Sequence, residues 1–299
     1  MRITCVVDNA VDPQSSFWGE HGLAFLIESE GKRVLFDTGA SGTVLLHNLE
    51  AQKVALGSIV GVALSHAHPD HTGGLSALLE RVPGLPVYAH SDLGRERFSR
   101  RAGRMRAKAP LPTAPRSAFP YTRKVPLRFP YTRKGLPVDV EVLRQQADLH
   151  LSDVPQEIVP GVWTSGEISE RPEPEGRSPH HFVRDGERWV PDPYRDDMAM
   201  VLDSSQGLVL VCGCCHAGLL NMLSHVRRVF GRDPVVVAGG THLVSADEAH
   251  LRRLIRVLKR LGPPALYLNH CTGQTAYVAL AQAFGDQVAP CPAGTVLEF

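Results

Sequence analysis

The nine residues His66-Ala-His68-Pro-Asp70-His71-Thr-Gly-Gly74 constrain this chain more than any other stretch of it. They set three imidazoles and a carboxylate within six positions, directly after the apolar run Ile59-Val-Gly-Val-Ala-Leu64. That run is rich in β-branched residues and ends at a turn, so it reads as a buried strand feeding a loop. His66 and His68, two apart at the strand's end, point to one side. Pro69 then turns the chain, and Asp70 and His71 approach the same spot from another direction. Neutral imidazole and carboxylate are the donors that bind zinc, iron or manganese. Four donors this close form half of a two-metal site. A His-rich surface loop is the plain alternative, and the strand–turn–Gly-Gly setting argues against it.

A second half would have to come from elsewhere in the chain, and three more histidines each follow an apolar, strand-like run. His216 follows Leu208-Val-Leu-Val-Cys-Gly-Cys-Cys, His242 follows Val235-Val-Val-Ala-Gly-Gly-Thr, and His270 follows Ala265-Leu-Tyr-Leu-Asn. Strand ends in layered α/β proteins are where sites assemble. His242 is expected to contact a substrate or its developing negative charge. Asp37, in Phe-Asp-Thr-Gly39, is expected to hydrogen-bond the metal loop from behind. Glu20 and His21 are expected to reach the pocket from the amino-terminal loop, and Asp8 and Asn9 to shape it. His180 and His181 read as a surface pair rather than as ligands. The histidines at 47, 90, 150, 225 and 250 read as structural.

The pattern of short apolar runs and helical spacings predicts an α/β fold. Strands are expected over residues 3–7, 23–27, 34–37, 59–64, 87–90, 198–202, 208–212, 235–238, 265–269 and near Thr295. Helices are expected over 41–54, 75–82, 219–230, 246–261 and 275–284, with Ser245 and Glu248 forming a capping box for the fourth. Each half runs sheet then helix, which suits two sheets packed face to face with helices outside, in one domain of residues 1–299. With 43% apolar residues the chain has enough material for such a core. Its formal charge of +1 gives no global field for nucleic acid. It lacks an eighteen-residue apolar run and a leader pattern at its start, so a soluble cytoplasmic protein is expected, with no membrane partner. Of the six cysteines, three crowd into Cys212-Gly-Cys-Cys215, which suits a reducing compartment better than a disulfide framework.

One segment departs from the rest. Residues 95–134 hold thirteen Lys or Arg against the single acid Glu96, a local charge of +12. Prolines at 110, 112, 115, 120, 126 and 130 oppose regular helix or central strand there. An irregular insertion is expected, leaving the core near His90 and returning near Val138. It reads as a solvated loop, as a flank that draws an anionic small-molecule substrate, or as a single-strand nucleic-acid contact with Phe and Tyr stacking on bases. Residues 170–195, rich in Pro, Glu and Arg, are expected to pack over the mouth of the site.

The metal loop resembles the H-x-H-x-D-H signature of the metallo-β-lactamase fold. Val7-Asp-Asn9, Glu20-His-Gly-Leu23, Leu35-Phe-Asp-Thr-Gly39, Gly213-Cys-Cys-His-Ala-Gly218, Gly239-Gly-Thr-His-Leu243 and His270-Cys-Thr-Gly273 extend the similarity along the chain. They point to the branch of the dihydropterin-ribofuranosylaminobenzene-phosphate synthases and their bacterial relatives. The resemblance implies the αββα sandwich and two divalent cations, with zinc first and iron or manganese as alternatives. One cation would be held by His66, His68 and His216, and the other by Asp70, His71 and His270. Hydrolases of the superfamily commonly carry a bridging Asp where this chain has Gly213-Cys214. Here the bridge is lost, replaced by water, or taken over by Cys214 as thiolate; otherwise Cys214 is a small residue shaping the turn. Asp70 would ligate and help orient an activated water.

Three activities stay open. They are hydrolysis of a phosphate-bearing small molecule, transfer of a dihydropterin-methyl group from its diphosphate to a ribofuranosylaminobenzene phosphate, and non-catalytic metal or ligand binding. A flavodiiron oxidoreductase is disfavoured because His68 stands where Glu is expected. A thiolesterase is disfavoured by the lack of a His-Thr-x-Gly-His segment.

Overall fold

A computed structural model describes residues 1–100 and 131–299. Two seven-stranded sheets carry the fold. The first runs, edge to edge, Val296–Glu298, Arg2–Val7, Ala24–Ser29, Lys32–Phe36, Ile59–Ala63, Pro86–Ala89, Asp148–Leu151. The second runs Val288–Pro290, Ala265–Leu268, Pro234–Gly239, Gly207–Cys212, Ala199–Ser204, Val162–Thr164, Glu157–Val159.

Strand alternation explains why they stack. In Ala24–Ser29, Phe25 and Ile27 join the layer between the sheets, while Ala24 and Leu26 face the helices. Gly207–Cys212 repeats this, with Val209 and Val211 turned between the sheets and Leu208, Leu210 and Cys212 turned outward. The outer face of the first sheet is covered by Gly42–Ala51, Leu75–Arg81 and Val140–Gln146 through Leu45, Leu49, Leu78 and Leu143. The second is covered by Leu219–Phe230, Glu248–Leu261 and Gln274–Phe284 through Met222, Leu254, Leu258 and Leu280. The layers are therefore helix, sheet, sheet, helix, as the sequence predicts. No helix among the described residues is long and apolar enough to cross a membrane.

Two local expectations fail. The helix expected from Ala246 begins at Glu248, and its cap is Asp247, whose carboxylate accepts the His250 N–H at 2.8 Å. Ser245 is no cap, because an Asp two residues on offers the better acceptor at the position where the backbone turns helical. The segments read as irregular also contain strands. Arg97–Arg100, Tyr131–Arg133, His181–Asp185 and Arg188–Pro191 form a separate four-stranded antiparallel sheet. The arms of the basic insertion are thus regular, and its span at 101–130 lies outside the described residues.

Candidate metal centre

The parallel strands set the site. Asp37 follows Lys32–Phe36, the His66 loop follows Ile59–Ala63, and Cys214 and His216 follow Gly207–Cys212. His242 follows Pro234–Gly239, and His270 follows Ala265–Leu268. All lie beyond the carboxyl ends of their strands, where side chains from both sheets converge. Pro69–Thr72 is one helical turn starting after His68, which swings Asp70 and His71 out of line with His66 and His68.

Six residues gather as two triads. Ligand atoms of His66, His68 and His216 lie within 4.8 Å of one another, and so do those of Asp70, His71 and His270. In the second triad Asp70 Oδ2 stands 3.5 Å from His270 Nε2 and 3.7 Å from His71 Nε2, and the two Nε2 atoms are 3.2 Å apart. In the first, the Nε2 atoms of His66, His68 and His216 are buried without any hydrogen-bond partner. Burial, before any neighbouring charge, holds all three rings well below the usual histidine range, so they are neutral at pH 7 with lone pairs free. Burial pushes Asp70 up, but His270, His71 and His68 outweigh it and keep the carboxyl well below its usual range, ionised.

The opposite ring nitrogens of four of these histidines are committed. His71 Nδ1 donates to Asp37 Oδ2 at 2.7 Å, and His66 Nδ1 donates to Ser65 Oγ at 2.8 Å, whose hydroxyl donates on to Asp37 Oδ2. His216 Nδ1 donates to the Gly176 carbonyl, and His270 Nδ1 to Asn9 Oδ1. Anchoring Nδ1 fixes the tautomer and leaves Nε2 as the donor atom, the arrangement that metal-binding histidines need. Burial opposes charge on His71, but Asp37 by charge and hydrogen bond lifts the ring to about 9. The close approach of the second sheet demands a glycine: a Cβ at Gly213 would come within 2.2 Å of Ser65 Oγ.

The remaining expected residues sort clearly. His21, largely exposed, stands 3.5 Å from Asp70 Oδ2 and stacks on His270, so it reaches the mouth. Glu20 does not reach the pocket. Its carboxylate accepts the N–H groups of Ala40 and Ser41 and the Ser41 hydroxyl, because the start of the Gly42–Ala51 helix offers unpaired donors nearby. Asp8 Oδ1 accepts the His270 N–H, so Asp8 and Asn9 together seat His270. Cys214 Sγ lies 3.1 Å from His71 Nε2. His242 packs 4.2 Å from His216 between ring centroids, with its buried Nδ1 unpartnered, and burial lowers it to about 4.

Several contributors escape a sequence reading. His181 is no surface residue: its ring meets His68 edge-on at 5.1 Å, and Tyr194 Oη donates to its Nδ1 at 2.6 Å. His180 is the exposed member of the pair. Tyr194 stacks on His216 at 4.0 Å. Asp196 Oδ2 accepts Ala67 N at 2.9 Å, between the two first-triad histidines, and Asp197 Oδ2 accepts Ala217 N at 2.6 Å, beside the third. The fully buried Arg97 pairs with Asp196, Asp192 and Asp92 at 2.7, 3.2 and 3.2 Å. The one available signal was the acid pair Asp196-Asp197 immediately before an apolar strand. Of seven non-glycine residues with positive φ among the described residues, four (Asp37, Tyr194, His242 and His270) wall the site and a fifth, Cys215, precedes His216 in the chain. Each such residue costs about 1–3 kcal/mol, so the concentration here marks a place that packing over-determines.

The family model of the metallo-beta-lactamase superfamily matches residues 18–166. Over its whole length the chain is 29% identical to the 7,8-dihydropterin-6-methyl-4-(beta-D-ribofuranosyl)-aminobenzene-5'-phosphate synthase of Methanocaldococcus jannaschii, covering 97% of that protein. It is 28% identical to an uncharacterised protein of the same organism, over 94% of each chain. A solved metal-dependent hydrolase of the beta-lactamase superfamily superposes with a TM-score of 0.79 at 23% identity, over 100% of this chain and 99% of that one. At that identity the likeness speaks for the fold alone.

Proposed function

Because this chain belongs to the metallo-β-lactamase superfamily, we propose that it is a two-metal hydrolase of a phosphate-bearing small molecule. The observation that carries the reading is the set of unpartnered, buried Nε2 atoms of His66, His68 and His216 beside a second triad with an ionised Asp70. Buried polar atoms need partners, and convergent neutral imidazole lone pairs suit a cation, not a proton shared among them. His66, His68 and His216 would hold one ion, and Asp70, His71 and His270 the other. Zinc suits this His-rich set, with iron or manganese as alternatives. Divalent ions held there would supply Lewis acidity and neutralise phosphate charge.

The chain's own groups would do the rest. Asp37 holds two of the motif histidines by their Nδ1 atoms, His71 directly and His66 through Ser65. Ser178 N–H donates to Tyr194 Oη, which in turn donates to His181 Nδ1, leaving His181 Nε2 as an N–H donor for a substrate oxygen. Burial lowers His181 to about 4, so that donor is neutral at pH 7. His242 offers a second neutral imidazole with an unused nitrogen.

A second reading is favoured by the full-length match, end to end, to the pterin phosphate synthase. In that reaction a C–O bond to diphosphate breaks, a C–N bond forms to the aromatic amine, and the amine loses its proton. The same donors would grip the leaving diphosphate. The deciding assay follows pyrophosphate and phosphate release from the pterin alcohol diphosphate, and alcohol release from simple phosphodiesters, with and without the amine acceptor. Release without acceptor supports the hydrolase. Pyrophosphate release only with acceptor supports the transferase. No release in either, with two metal ions bound, leaves a binding protein.

A further inference from the structure

The two triads carry one negative charge between them, that of Asp70, against the four positive charges of two divalent ions. Cys214 stands where a second anion would act. Its Sγ is within 4.8 Å of ligand atoms of His66, from the first triad, and of His71, from the second. It forms a further group at the same spacing with His270 and Cys271. No other residue outside the six shares such groups with both triads among the described residues. Two ligands on one zinc ion, with bonds of about 2.0–2.3 Å, sit roughly 3.5 Å apart, comparable to the 3.1 Å between Cys214 Sγ and His71 Nε2. His71 Nδ1 is taken by Asp37, so Nε2 is the ring atom turned toward the thiol. The unpartnered, fully buried Nε2 of His66 is an independent mark of a ligand at this spot.

We propose that Cys214 is a seventh metal ligand, a thiolate shared by the two cation positions and joining the His66–His68–His216 triad to the Asp70–His71–His270 triad. This rests on the two-metal reading above. On binding, the S–H bond breaks as the sulfur–metal bonds form, and the proton leaves to buffer. The neighbouring Cys271 is not equivalent. Its Sγ accepts the His242 N–H and donates to the Cys214 carbonyl, so it belongs to the backbone, and it shares no group with the first triad. The remaining cysteines, at 5, 212, 215 and 291, are buried in the apolar layers. A thiolate bridge would also bias the site toward zinc, cobalt or iron over magnesium and calcium.

Cobalt(II) alone is a sufficient probe. The metal-depleted chain, titrated with cobalt, should develop visible ligand-field bands together with a near-ultraviolet sulfur-to-cobalt absorption. Cys271→Ala should keep that absorption. Cys214→Ala and Cys214→Ser should lose it and bind the second cobalt at least tenfold more weakly, with circular dichroism unchanged. Cys214→Asp should restore two equivalents without the sulfur band. Visible bands at two equivalents with no sulfur absorption in the parent would overturn the inference, whatever the variants do, and so would its survival in Cys214→Ala. A parent that takes up no cobalt and shows neither feature would instead overturn the two-metal reading and this inference with it.

Discussion

Asp37 Oδ2 lies 2.7 Å from His71 Nδ1, both side chains fully buried, and the same oxygen takes the Ser65 hydroxyl that anchors His66. One carboxylate thus orients a histidine of each triad. Asp37→Ala should lower metal affinity about 10–100-fold, the usual effect of losing such a partner. Asp37→Asn, which can still accept through its amide oxygen, should lose less. Competition with a fluorescent chelator measures both, and equal affinities across the three proteins would refute the role.

Asp70 is the only carboxylate in the two triads and belongs to one of them. Asp70→Ala should therefore bind one ion instead of two, lose most activity and remain folded. Metal content by plasma mass spectrometry decides it, and an unchanged count would sink the assignment.

Arg97 is buried against three aspartates, one of which holds the backbone of Ala67 between His66 and His68. Removing one partner of a buried ion pair leaves uncompensated charge and costs about 3–5 kcal/mol. Arg97→Ala should lose stability on that scale by urea unfolding and should also weaken metal binding, since Asp196 is then free to turn from Ala67. Loss of stability without any change in metal affinity would separate the two roles and reject the second.

How much of this was legible depends on where each residue sits in the chain. His66, His68, Asp70 and His71 announce themselves because four donors lie within six residues, and His216, His242 and His270 because each ends an apolar run. Their grouping into triads needs both sheets and is invisible locally. His181 and Tyr194 come from a stretch whose Pro, Glu and Arg content looks irregular, and Asp196 and Asp197 directly follow it. The sequence places that stretch over the mouth, but its ties to the site, the pairing of His181–Asp185 with Arg97–Arg100 and the bond of Gly176 to His216, join distant parts of the chain. Glu20 misleads for the opposite reason. It lies beside site residues in sequence, but the unpaired N–H groups of Ala40 and Ser41 claim its carboxylate.

Residues 101–130 hold eight Lys or Arg and no Asp or Glu. Their removal, sparing the buried Arg97 and its strand, should raise KM for anionic substrates more than for neutral ones, and the gap should shrink at high salt. Equal effects on both substrate classes would leave the segment without a role in attraction.

Asp197 gives the clearest pH dependence. Burial, aided by Asp196, outweighs the Ala217 N–H and Arg171 and raises its carboxyl from 3.8 to about 7. Between those values the folded chain keeps a proton that the unfolded chain has lost, so stability from this group falls as pH rises from about 4 to 7 and is flat above. The buried histidines act the other way, since their lowered values cost stability as pH falls below about 6.5. Comparing Asp197→Asn with the parent cancels them. Its amide oxygen can still accept the Ala217 N–H, and it never charges. Urea unfolding at pH 4.5 and 8 should therefore show the variant gaining on the parent toward alkaline pH, by on the order of 2–4 kcal/mol across the window. A difference that does not change with pH would mean that Asp197 is ionised throughout, held by Arg171 and the two backbone donors at the His216 turn.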